Sequence, residues 1–132
     1  QAAILNFRFK KLDQLLSKRR KNAGIYYDML DQNNVLLPKQ RSYAEDSFHT
    51  FVIQTDDREG LASFLKKQGI GTSIHYPTPI HIQPCAKYLN YKLGDFPKTE
   101  FQSKRILTLP VNQELSFDDI KMISTKVNEY FS

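Results

Sequence analysis

The chain has 132 residues, a single cysteine (Cys85), 40% hydrophobic and 25% charged residues, and a formal net charge of +5. This is the size of one domain with a real core, and it excludes both a disulfide scaffold and a low-complexity chain. No apolar run reaches membrane-spanning length and no secretory h-region is present, so the expectation is a cytoplasmic protein with no membrane partner.

The basicity is local. Residues 1–21 hold Arg8, Lys10, Lys11, Lys18, Arg19, Arg20 and Lys21 against Asp13 alone, which leaves the remainder close to neutral. Such a run reads as a solvated helix face or a partner contact, and no nucleic acid is expected. Phe7, Phe9, Tyr26 and Tyr27 suit a packing stripe better than a base-stacking platform. The chain opens Gln1-Ala2-Ala3-Ile4-Leu5 within a helical pattern and without methionine; we read this as a cut end.

Apolar residues at positions 5, 9, 12, 16, 23, 26 and 30 step by threes and fours, with a gap at Arg19. The spacing predicts one long leading helix over 1–32, broken by Asn33-Asn34. A polar loop follows over 38–46. Phe48 to Thr55 is rich in aromatic and β-branched residues and predicts a strand, with His49 on the inward face beside Phe51 and Ile53. Asp56 then caps a helix with Glu59, whose buried side is Leu61, Phe64 and Leu65 and whose stop is Gly69. Residues 71–76 predict a second strand. After the turn Gly94-Asp95-Phe96-Pro97 comes a helix over 98–106, then a third strand at Leu107-Thr108-Leu109 closed by Pro110. Ser116 and Asp119 form a capping box for a last helix that buries Phe117, Ile120, Ile123, Val127, Tyr130 and Phe131. The expected fold is α+β, a small and mostly antiparallel sheet with helices packed on one face (46–132), preceded by the long helix.

One stretch stands out chemically. Gly69 to Pro84 packs two glycines, three prolines, the histidines His75 and His81, and Tyr76 into sixteen residues. Glycine relaxes the backbone and proline fixes it, so the path of this loop is specified. His75 and Tyr76 sit at a strand end and can offer a ring N–H and a hydroxyl to phosphate oxygens. A ligand wall and a structural brace both remain open for them on these grounds. His75, His81 and Cys85 have metal-ligand chemistry but no standard zinc spacing, so no metal is expected. No Gly-x-Gly-x-x-Gly or Walker-type loop is present, and the acidic pairs Asp56-Asp57 and Asp118-Asp119 fall at helix starts, where capping explains them.

Taken together, Gln1-Ala2-Ala3-Ile4-Leu5, Ser47 to Ile53, Gly69 to His81, Gly94-Asp95-Phe96-Pro97 and Leu107-Thr108-Leu109-Pro110 resemble the C-terminal part of the DegT/StrS family, over nearly the whole chain. These are pyridoxal-phosphate-dependent aminotransferases of nucleotide-linked keto-sugars. The resemblance implies the small C-terminal domain of a type I aminotransferase fold, with an active site between large and small domains at a homodimer interface. It implies that His75 contacts the diphosphate or sugar, that Tyr76 lines the same pocket, and that Thr72 and His81 support them. It further implies that an amino acid, usually glutamate, donates the amino group. The catalytic lysine and the pyridoxal phosphate would belong to a large domain absent from this chain, which alone should be inactive. Asn112-Gln113 and Thr99 depart from the family's usual residues at their positions. A free-standing α+β module that binds a phosphorylated small molecule without catalysis is the alternative.

Overall fold

The computed structural model describes all of residues 1–132. Its leading segment is two helices and not the single one expected: α1 over Ala2–Phe9 and α2 over Leu12–Met29. The break falls at Lys10 and Lys11, where the Lys11 N–H returns to the Arg8 carbonyl at 3.0 Å. Arg8, Lys10 and Lys11 crowd like charges into one turn, which disfavours continuing the helix. Packing offers no compensation, because α1 buries none of its residues. The apolar stripe therefore divides. Leu5 and Phe9 are 63% and 71% exposed, while Ala23 and Tyr26 are fully buried.

The sheet has two full strands, β1 (Phe51–Gln54) and β2 (Ile106–Leu109), antiparallel with Phe51 opposite Leu109 and Ile53 opposite Leu107. Residues on one face of such a pair alternate, so these four side chains share a face. All four are at most 1% exposed. They form one core with Ala23, Tyr26 and Leu30 of the α2 region, Leu61 and Leu65 of α3 (Arg58–Lys67), and Ile120, Ile123 and Val127 of α5 (Phe117–Tyr130). Each fully buried aliphatic side chain contributes roughly 1.5–3 kcal/mol. The Tyr26 ring lies 4.8 Å from that of Phe51, and its hydroxyl donates to the Pro110 carbonyl at 2.6 Å. Burial pushes the Tyr26 hydroxyl pKa well above its ordinary value. Polar side chains tie α2 to the rest. Asn22 donates to the Asn112 carbonyl at 2.8 Å, and Asn128 of α5 donates to the Met29 carbonyl at 2.9 Å.

The α+β architecture with an antiparallel sheet stands, but three local expectations change. The segment 71–76 is not a strand; only Ser73 bridges Thr108, at the free edge of β2. At the other edge Leu36 bridges Gln54, a pairing the sequence did not suggest. Second, β1 begins at Phe51 because Phe48 takes a left-handed φ of 44°. The Arg19 guanidinium, from the gap in the stripe, donates to the carbonyls of Phe48 and His49, both at 3.1 Å, and so holds the chain off the sheet. The alternation that placed His49 inward stops there, and His49 is exposed. Third, Phe117 is 55% exposed. It is the first residue of α5, directly after the Ser116–Asp119 capping box, and Ile120 is the first to face inward.

The other helix ends follow their chemistry. Asp57, not Asp56, caps α3 by accepting from the Gly60 N–H at 3.0 Å, while Asp56 pairs with Arg105. The α3 terminus closes as a Schellman turn, with Gly69 at φ +77° and the Ile70 N–H reaching the Leu65 carbonyl at 2.9 Å. Pro97 opens α4 (Pro97–Ser103). No helix is long and apolar enough to cross a membrane.

Candidate functional site

The second face of the sheet carries Thr108. It lies opposite Val52 and turns away from the core face, yet it is only 8% exposed. What covers it is the loop that leaves α3. Ser73 and Thr108 exchange both backbone hydrogen bonds, at 2.7 and 3.2 Å. Two residues on, His75 Nδ1 meets Thr108 Oγ1 at 2.9 Å. The glycines at 69 and 71 release the chain from the helix, and the bridge at Ser73 then sets where His75 stands.

His75 and Tyr76 are both exposed, and their rings meet edge to face with centroids 5.5 Å apart. Tyr76 is 69% exposed and its hydroxyl makes no hydrogen bond within the protein. Thr72 is half-buried. Downstream, Gln83 donates to the Thr78 carbonyl at 2.9 Å and pins the Pro77–Pro79 turn. The result is a fixed strip with a ring nitrogen and a phenol free to bind.

His81 goes elsewhere. It is 8% exposed, stacks on Phe96 at 4.8 Å between centroids, and donates from Nε2 to Glu100 Oε1 at 3.0 Å. The Glu100 carboxylate also accepts the Gly94 N–H at 2.8 Å and the Phe96 N–H at 3.3 Å. Burial alone would raise the Glu100 pKa, but the bonds from Gly94, His81 and Phe96 outweigh it and hold the carboxyl below its ordinary value. An apolar groove of about 330 Å³ runs past His81 between Ile80, Leu89, Tyr91 and Phe96. So the loop has two anchors: Thr108 beneath His75, and Glu100 beneath His81.

Neither anchor was assigned from the sequence. The signal for Thr108 was a lone hydroxyl within the run Leu107-Thr108-Leu109-Pro110. For Glu100 it was an acid in the first turn of a helix, where a carboxylate is ordinarily explained by the dipole. No three His, Cys, Asp or Glu side chains converge on a point. No lysine is among the buried residues, so the chain presents no desolvated amine of the kind that holds an aldehyde cofactor.

Comparison with known proteins identifies the family of the chain. The model of the DegT/DnrJ/EryC1/StrS aminotransferase family matches residues 1–128. A pleiotropic regulatory protein of Geobacillus stearothermophilus is 37% identical over 99% of this chain and 36% of its own length. A dTDP-3-amino-3,6-dideoxy-alpha-D-galactopyranose transaminase of Aneurinibacillus thermoaerophilus is 30% identical over 98% of the chain and 35% of its own length. Among solved structures, S. venezuelae DesV in complex with a ketimine intermediate superposes with a TM-score of 0.93 at 28% identity, over 98% of this chain and 35% of that one. The chain thus spans about a third of the length of the curated relatives it matches. It belongs to the DegT/DnrJ/EryC1/StrS aminotransferase family.

Proposed function

We propose that this chain is the small-domain portion of a sugar aminotransferase, and that the strip from Thr72 to His81 forms one wall of its substrate site. The observation that carries this reading is His75, exposed at its ring, braced from below by Thr108, and flanked by a free Tyr76 hydroxyl. A brace alone would bury its polar rings, as happens at His81. Here a ring N–H and a phenol face outward from a fixed backbone, the arrangement that binds a diphosphate or sugar oxygen without paying to order a loop. The substrate is a nucleotide-linked keto-sugar; the transaminase relative from Aneurinibacillus thermoaerophilus is named for a dTDP-linked amino-sugar, the aminated counterpart of such a substrate. His75 contacts its diphosphate or sugar, Tyr76 lines the pocket, and Thr72 and His81 hold the strip in shape.

The amino donor in this reading is an amino acid, glutamate being the first to try. Pyridoxal phosphate is held outside these 132 residues, in the two-thirds of the relatives' length that the chain does not span, and the intact protein is a homodimer. The exposed stripe of Ile4, Leu5, Phe7 and Phe9 belongs to that larger assembly. The test is an amino-transfer assay. The full-length protein that carries this chain should convert a dTDP- or UDP-linked keto-sugar to the amino-sugar at the expense of glutamate. This chain alone should give no aldimine absorbance with pyridoxal phosphate. A stoichiometric aldimine on the 132 residues, or no transfer by the full-length protein to any such sugar, would overturn the proposal.

A further inference from the structure

The bond between His75 and Thr108 does more than place a ring. An imidazole near neutrality carries its proton on either nitrogen, and the bond made by one nitrogen decides what the other can do. His75 Nδ1 has one partner in the protein, the Thr108 hydroxyl at 2.9 Å, and Nε2 has none. A hydroxyl offers one proton and two lone pairs. The Thr108 hydroxyl makes no second hydrogen bond within the protein, and its residue is 8% exposed.

Two assignments are then possible for the neutral ring. With the proton on Nδ1, the ring donates to Oγ1 and the threonine's own proton is left without an acceptor in a nearly closed space. With the proton on Nε2, the threonine donates to a bare Nδ1 and no donor is orphaned. An unmade donor in a buried place costs more than an unfilled lone pair. The second assignment is favoured, and the backbone exchange between Thr108 and Ser73 keeps the two side chains in reach of each other.

We propose that Thr108 is a positioning residue that fixes the tautomer of His75, so that Nε2–H is presented as a donor to an acidic or carbonyl oxygen of the sugar nucleotide. The substrate half of this statement rests on the function proposed above; the tautomer half does not. A serine in place of Thr108 keeps the hydroxyl and should preserve the effect, whereas a valine keeps the branched shape and should lose it.

The experiment is long-range ¹H–¹⁵N NMR of the imidazoles in the 132-residue chain, at a pH above about 8 where histidine is neutral. His75 should show Nε2 protonated and Nδ1 as a hydrogen-bonded acceptor. Thr108→Val should move the Nδ1 resonance to that of an unbonded acceptor and let the second tautomer appear, while Thr108→Ser should retain the original pattern. Protonation of Nδ1 in the unaltered chain, or identical His75 nitrogens in the valine variant with an otherwise native amide spectrum, would overturn the assignment. In the full-length protein, Thr108→Val should raise the KM for the nucleotide sugar by about three- to tenfold, the span of one ordinary hydrogen bond, and Thr108→Ser should restore it. A fixed tautomer combined with no effect of His75→Ala on that KM would sustain the role of Thr108 on the ring and defeat the substrate reading.

Discussion

The two faces of the β1–β2 sheet are built from the same alternating residues but covered in different ways. On the inner face Phe51, Ile53, Leu107 and Leu109 are closed off by α2, α3 and α5 in one mainly apolar core. On the outer face Thr108 is covered by a single strip of loop whose own rings, His75 and Tyr76, stay open to solvent. The inner face is a matter of volume and area, and many aliphatic residues of the right size would serve it. The outer face depends on particular atoms, since it holds a nitrogen in place through one hydroxyl. Stability belongs mainly to the first, and the second is the face we propose for binding.

The largest expected effect tests the closed side. Ile53→Ala removes a fully buried side chain from the centre of the core and should cost about 3–4 kcal/mol in chemical denaturation, with an unchanged m-value. Next comes a close approach at the edge of that core. A Cβ on Gly60 would press on the Tyr130 hydroxyl and on the Asp57 carboxylate that caps α3. Gly60→Ala should therefore disturb the Asp57 cap and lose stability despite the better helix propensity of alanine, by about 0.5–1 kcal/mol. Tyr130→Phe combined with it should recover part of that loss.

A third prediction concerns the anchor at Glu100. Its carboxyl titrates below the ordinary value in the folded protein, so its contribution is complete above the unfolded carboxyl pKa of about 4.3 and is lost as pH falls through the lower folded value. Amide signals of Gly94 and Phe96, followed by NMR from pH 7 downward, should hold until below the usual carboxylate range and then shift together. Glu100→Gln should remove that acid step and lower the thermal midpoint. The smallest effect is expected on the open side. Tyr76→Ala should change stability by less than about 0.5 kcal/mol, since the ring is largely exposed and meets only that of His75. A loss as large as that of Ile53→Ala would erase the distinction between the two faces.

The sequence made the closed side legible and the open side only partly so. Period-3.6 and period-2 patterns found the core residues of α3, α5 and both strands, and the capping box at Ser116 and the Gly69 stop appear where the residues indicated. Those signals are local and repeat along the chain. Misreadings came where one distant group intervened. Arg19 holds Phe48 and His49 out of the sheet across about thirty residues, and no periodicity reports such a bond. The stripe on α1 and α2 is continuous as a pattern, but α1 has nothing in this chain to pack on, so only the later half is buried. In the loop, the unusual density of rings and prolines drew attention to His75, Tyr76 and His81. That His81 turns inward to Glu100 while His75 stays outward on Thr108 depends on partners 19 and 33 residues away, which spacing alone does not reveal.

If the outer strip is a substrate wall, His75 must act on the sugar nucleotide and not on the amino donor. The decisive measurement is steady-state and half-reaction kinetics of His75→Ala in the full-length protein. We predict a rise of ten- to a hundredfold in the KM for the nucleotide-linked sugar, the range of a hydrogen bond to a charged group, with the half-reaction of the amino donor unchanged. An unchanged KM for the sugar, or an equal loss in both half-reactions, would contradict it.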